Sequence, residues 1–165
     1  MGEPTMEKAV QRSRVAAYVV CVDQADRMLL ARGRLGDGSP EWTVPGGGLD
    51  HGEPPQHAAV REAEEETGYL VELDALLGVD SRHRLNPPFL SGPPTDFHSL
   101  RIVYSARVVG GELRPETDGT TDLAAWIPLD QITDLPRADL VDVALALHRD
   151  RPALGLVDLG PAEHA

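Results

Sequence analysis

GGLDHGEPPQHAAVREAEEETGY, from Gly47 to Tyr69, is the stretch on which the fold turns. Pro54 and Pro55 suit the first turn of a helix, and Gly68 suits its C-terminal stop, so a helix is predicted up to about Thr67. Four glutamates crowd its second half. Successive helical residues turn by about 100°, so Glu62, Glu65 and Glu66, at i, i+3 and i+4, share one face, and Glu64 falls off it. Val60, Ala63 and Thr67 mark a second, small-residue face that can lie against a sheet. Like charges at helical neighbours cost a few tenths of a kcal/mol per exposed pair, roughly, and more when partly buried. A divalent cation reverses that sign. Oxygen-only ligands suit a hard ion, Mg2+ first with Mn2+ or Ca2+ as alternatives, and no His or Cys stands at ligand spacing for zinc. Upstream, PGGGLDHGE is a Gly-rich loop running into the helix start, which offers backbone groups to a ligand without Cβ interference.

The spacing Gly47, five residues, Glu53, seven residues, Arg61-Glu62-Ala63, one residue, Glu65-Glu66, one residue, Gly68-Tyr69 resembles the Nudix box. Every fixed position of the pattern G-x(5)-E-x(7)-R-E-U-x-E-E-x-G-U is present, with Ala63 small and Tyr69 partly polar at the apolar U positions. The resemblance implies an α/β (α+β) fold, an α/β/α sandwich whose mixed sheet is flanked by the box helix and a C-terminal helix. It implies a Mg2+-dependent hydrolase of a nucleoside diphosphate linked to another moiety. On these residues, Glu62, Glu65 and Glu66 would hold the metal with the Gly46 carbonyl. Arg61 would orient the cluster, paired with Glu53 across the loop–helix junction. Glu65 is the expected general base, and a later-loop carboxylate from ETDGTTD (Glu116, Asp118 or Asp122) is the alternative, with Asp122 preferred. Arg32 resembles a phosphate-binding position of some relatives. With Gly47, Gly48, Arg34 and Phe97 it makes up the expected substrate contacts.

The rest of the chain fits one domain. It has 165 residues, of which 41% are hydrophobic but only 4% aromatic, so Val, Leu, Ala and Ile must fill the core. Residues 1–13 are polar and read as a loose arm, 14–150 as the domain, and 151–165 as a tail. Arg14–Asp23 and Met28–Arg32 read as paired strands of a hairpin, Gly33–Glu41 as a loop, and WTVP as a short strand before the glycines. LVELDALLGVDSRHRL reads as one or two strands, and Asn86–Asp96, with four prolines, as a long surface loop. FHSLRIVYSARVV is a strand, LAAWIPLDQI a strand entering a short helical turn, and Ala138 to about His148 a helix.

The net charge of −12 argues against electrostatic binding to nucleic acid or anionic membranes. Phosphate contacts therefore need the metal or a local group of cations. Arg82, Arg84 and Arg101 are weaker candidates for that group, Tyr18, Trp42 and Phe89 are available for base stacking, and His98 for a substrate contact. The lone Cys21, in an apolar run, reads as buried strand filler. No apolar leader or membrane-length run is visible, so a soluble cytoplasmic protein acting on a small nucleotide is expected, as a homodimer by analogy with related domains. Two other readings share the scaffold. A catalytically silent nucleotide-binding regulator is disfavoured because no box glutamate is missing, and an isoprenoid diphosphate isomerase because Cys21 lies in a buried run.

Overall fold

The apolar run Ala16–Cys21 can alternate its side chains to two faces, and both faces are covered. A computed structural model of the chain describes residues 9–160. Along it run β1 (Val10–Val20), β2 (Arg27–Arg34), β3 (Pro40–Thr43), β4 (Gly46–Gly48), α1 (Pro55–Thr67), β5 (Tyr69–Leu85), β6 (Thr95–Gly111), β7 (Thr121–Pro128), a 3-10 turn (Leu129–Asp134) and α2 (Asp139–Asp150). A four-stranded sheet has the order β4-β1-β6-β5, and a three-stranded sheet the order β3-β2-β7. The β1–β6 pair is parallel and the other pairs are antiparallel, so the larger sheet is mixed. On one face Ala17, Val19 and Cys21 pack with Ala58, Ala59 and Ala63 of α1. On the other, Val20 and Val103 pack with Leu140, Val141, Ala144 and Leu147 of α2. The second sheet divides likewise, with Leu29 on the α1 side and Met28 and Leu30 on the α2 side. Full burial of each such side chain stabilises by about 1.5–3 kcal/mol.

The α/β/α layering agrees with the expectation, but the strands form two sheets rather than one. Helix α1 ends at Thr67, where Gly68 adopts φ 79° and its N–H returns to the Glu64 carbonyl. Pro54 caps the start without a side-chain hydrogen bond. Strand β1 begins at Val10, not Arg14, because residues 10–13 pair with Thr95–His98 of β6; the proposed arm thus ends sooner, and residues 1–8 lie outside the described residues. Gly46–Gly48 is a strand, not a loop, paired antiparallel with Ala16–Tyr18. That approach is open only to glycine: a Cβ on Gly46 would stand 2.3 Å from the Ala17 carbonyl oxygen.

Strand β5 shifts register at three places. The last shift turns Leu77 into the core and leaves Leu76 exposed. Next to it, the Val79 N–H donates to the Gly155 carbonyl at 3.1 Å, which ties the tail to the sheet. Val157 packs at the α2-side core, whereas Leu154, Leu156 and Leu159 are exposed. Cys21 is buried, and burial, with a smaller contribution from Asp74, pushes its thiol up to about 12, as expected of a packing residue. Among the described residues, no helix is long and apolar enough to cross a membrane.

A Cβ on Gly78 would lie 2.1 Å from the Gly155 carbonyl oxygen and 2.9 Å from Leu147 Cδ2. Gly78→Ala should therefore lower stability by about 1–3 kcal/mol and make the tail cleavable by protease under native conditions. Gly36→Ala, where nothing stands within 4 Å of the added carbon, should leave both unchanged. Thermal unfolding and limited proteolysis of the two variants check this.

Candidate active site

The C-terminal half of α1 faces β4, and the side chains between them form one network. Glu66 is buried, and its Oε2 accepts the Gly46 N–H at 2.9 Å. Burial raises its pKa to about 8, helped by the charges of Glu62, Glu116 and Glu65 and opposed by the Gly46 N–H. Glu62, half-buried beside it, is also raised by burial, with Arg61 opposing. Its carboxyl carbon would lie 2.7 Å from a Cβ on Gly47, so Gly47 makes room for the carboxylate.

Arg61 binds the network together. Its Nε and Nη2 donate to the two oxygens of Glu53 at 2.8 and 2.9 Å, a bidentate pair. Nη1 donates to Glu62 Oε1 at 2.8 Å and to Glu65 Oε2 at 3.3 Å, and Nη2 also reaches the Gly48 carbonyl at 3.3 Å. Glu53 further accepts the Asp50 N–H at 2.9 Å, which fixes the loop to the helix. The Arg61 pair, with that N–H, holds the Glu53 carboxyl down at about 2.

The three box carboxylates are not equivalent. Glu66 and Glu62 are enclosed, while Glu65 is exposed and meets only Arg61. Among the described residues, no group of three or more His, Cys, Asp or Glu side chains is arranged to hold a metal ion. The donor chemistry of the site nevertheless fits a hard divalent cation. It offers carboxylate oxygens alone, two of them on buried groups that repel each other, with a glycine backbone alongside.

Of the later carboxylates, the structure brings Glu116 toward the cluster. Its charge raises both Glu62 and Glu66, and its Oε2 is fixed by the Thr121 N–H and hydroxyl at 3.0 and 2.7 Å. Asp122 goes elsewhere. A register shift between Arg32 and Gly33 leaves it as the extra residue of β7, aimed at Arg32 at 2.9 Å and Arg34 at 2.8 Å. Asp118 has a left-handed backbone, φ 59°, in an exposed turn.

A cavity of about 730 Å3 opens between the α2-side face of β1, β6 and β5 and the start of α2. Arg34 and Phe97, two of the expected substrate contacts, line it, with Phe89 edge-on to Phe97 at 5.4 Å between centroids. Arg32 does not; it stacks on the buried Trp42 at 5.7 Å and pairs with Asp122. Gly48 faces the Arg14 guanidinium, 3.1 Å from where a Cβ would stand. Tyr18 lines the cavity while feeling the charges of Arg14, Arg101, Glu66 and Glu62, so it joins the cavity to the carboxylates. His98 is bonded to Ser81 at 2.7 Å in a separate, smaller hollow of about 390 Å3. Sequence reasoning missed Arg14, Arg137 and Asp139. Period-two spacing would have put Arg82 and Arg84 on one face of β5, but nothing in the sequence says that this face meets α2.

The Glu53–Arg61 pair predicts an acid response. The carboxyl has a lower pKa folded than unfolded, so it adds stability above about 4.5, which is lost as pH falls toward about 2. Arg61→Met should remove that pH-dependent increment. Urea unfolding of both proteins between pH 6 and pH 2.5, roughly the window of that shift, reads it.

The chain matches the NUDIX domain model over residues 2–146. It is 33% identical over 138 residues to a CMP-5'-(N-acetyl-N-hydroxy-3-aminopropyl)phosphonate hydrolase of Streptomyces rubellomurinus, a match covering 83% of this chain and 62% of that protein. It is 31% identical over 131 residues to an RNA pyrophosphohydrolase of Saccharophagus degradans, covering 72% of this chain and 76% of that one. A NUDIX hydrolase structure from Nitrosomonas europaea superposes with a TM-score of 0.71 at 23% identity, over 84% of this chain and 90% of that chain, which shows a shared fold. With its box helix, mixed sheet and family-model match, the chain belongs to the NUDIX domain family.

Proposed function

We propose that this protein hydrolyses the pyrophosphate bond of a nucleoside diphosphate linked to another group. The observation that carries the reading is the buried Glu66 beside the half-buried Glu62 against the Gly46–Gly48 backbone. The ionised forms of two carboxylates so placed are disfavoured, and a bound cation would favour them. The two relatives described above are both named for chemistry at phosphorus on a nucleotide, which supports the substrate class.

Glu62, Glu66 and Glu65, with the Gly46 carbonyl, would hold Mg2+, and Mn2+ as its substitute. Bound there, the cation supplies charge neutralisation at the phosphoryl oxygens. The protein's own groups do the rest. Glu53 and Arg61 lock the loop to the helix and so fix where Glu62 points. Arg14, beside Gly48, places a guanidinium next to the glycine strand, where a diphosphate can be held in line. A water oxygen forms the new bond to phosphorus, the anhydride P–O bond breaks, and the water proton passes to a carboxylate. Glu116 suits that role better than Asp122, because its charge is felt at Glu62 and Glu66 and it is fixed by Thr121, while Asp122 is paired with two arginines. It also suits it better than Glu65, which is exposed and bonded to Arg61.

Phosphate release from a panel of nucleoside diphosphate derivatives, with and without Mg2+, tests the reading; no Mg2+-dependent release would end it. Glu66→Gln should fold and lose most turnover, and Mg2+ should raise the Tm of the unmutated protein but not of this variant. Glu116→Gln should lower kcat by about 10²–10⁴, the range of a general base, whereas Asp122→Asn should cost far less. Steady-state kinetics on the three proteins compare them.

A further inference from the structure

The cavity beside α2 carries a charge pattern that the reaction at the box does not need. In the register of the sheet, Arg14 of β1, Ser99 of β6 and Arg82 of β5 stand abreast. One step along the same face, Ala16, Arg101 and Asp80 stand abreast, and one step back Phe97 faces Arg84. Ser99, the small residue in the middle, thus lies beside Arg82 and one step from Arg84, while the guanidinium of Arg14 rests against Gly48 on the far side of β1. Like charges this close on one sheet face are destabilising unless answered.

The answer is incomplete. Asp139 alone meets Arg101 at 2.7 Å, Arg82 at 2.9 Å and Arg84 at 3.4 Å. Asp80 takes a further contact from Arg101. The Arg82 Nε is buried and, though near Asp139, is not aligned for a hydrogen bond, so it has no partner. Arg14 makes no ion pair among the described residues. Glu41 and Asp37 also line the cavity. Six arginines and three carboxylates therefore line it, in a chain whose net charge is −12.

Position separates this group from the reaction centre. Strand β5 is the third strand from β4, and neighbouring strands lie about 4.8 Å apart, so the backbones of Arg82 and Arg84 stand about 14 Å from the glycine strand. A substrate whose diphosphate rests at the glycine strand would extend a further part of itself toward these arginines.

We propose that the part of the cavity beside Ser99, at Arg82 and Arg84, binds a second anionic group, so that the substrate is a nucleoside diphosphate derivative whose distal moiety carries its own phosphate or carboxylate. Asp139 gathers Arg82, Arg84 and Arg101 there, and planar bidentate donors suit either oxyanion. This rests on the reaction reading above and deepens it.

The test uses the full chain with Mg2+ and three nucleoside diphosphate sugars: a neutral hexose, the hexuronate, and a hexose bearing a phosphate. At least one charged sugar should have kcat/KM about ten-fold or more above the neutral one, a single well-made ion-pair difference; whichever leads identifies carboxylate or phosphate as the group. In Arg84→Gln that ratio should fall toward one. Equal or lower kcat/KM for both charged sugars overturns the proposal. A binding arm is independent of turnover: inorganic phosphate is titrated by calorimetry, without metal, into the unmutated protein and Ser99→Asp, which puts a carboxylate beside Arg82. An affinity about ten-fold weaker in Ser99→Asp supports the site, and equal affinity, or no uptake by the unmutated protein, overturns it. Should no nucleoside diphosphate derivative be turned over, the reaction reading fails and this binding arm still decides the site.

Discussion

The contact on which the molecule turns is the hydrogen bond from the Gly46 N–H to the buried carboxylate of Glu66. It joins the last turns of α1 to the edge strand β4, and both neighbours depend on it. The glycine strand can approach β1 only because Gly46 has no Cβ, and Glu62 fits beside it only because Gly47 has none. Arg61 then closes the arrangement from the loop side through Glu53 and the Gly48 carbonyl. A carboxylate so enclosed resists ionisation, and one N–H does not offset the burial. The site is thus built to a stability cost, and the cost is concentrated where a cation and the phosphoryl oxygens of a nucleotide would come together.

A second consequence concerns charge. A protein at −12 that takes the proposed anionic substrate would meet it against its own average field. Its charges are segregated. The acidic groups of α1 gather at one edge of the larger sheet, and arginines gather on its α2-side face, answered by Asp139 and Asp80. Tyr18 sits where the two regions meet and feels charges of both signs. In the proposed reading, arginines on one side and a cation on the carboxylate cluster on the other would hold the phosphates, without the chain as a whole being basic.

Much of this was legible in the residues. The box spacing named the family, Pro55 and Gly68 marked the limits of α1, and the charged face of the helix marked the site. The expected pairing of Glu53 with Arg61 is present. Cys21 is core, and Arg34 and Phe97 do line the cavity. Other features could not be read. Asp122 and Glu116 lie in one loop segment and look interchangeable there. Only the bulge in the β2–β7 pairing turns Asp122 onto the arginines, while Thr121 fixes Glu116. The three glycines resemble a flexible loop, and their strand character exists only because β1 lies beside them.

What the sequence determined by itself is therefore local: the start and stop of α1 and which of its residues share a face. These follow from 3.6-residue periodicity and from the backbone preferences of proline and glycine, which act over a few residues. The tertiary structure decided which carboxylates are enclosed, which loop carboxylate faces them, and that Arg14, Arg82 and Arg101 share one wall. The physical reason is that burial and charge coupling depend on distance in space. The parallel pairing of β1 with β6 brings together residues more than eighty positions apart in the chain, such as Arg14 and Ser99, and no short-range pattern encodes that register.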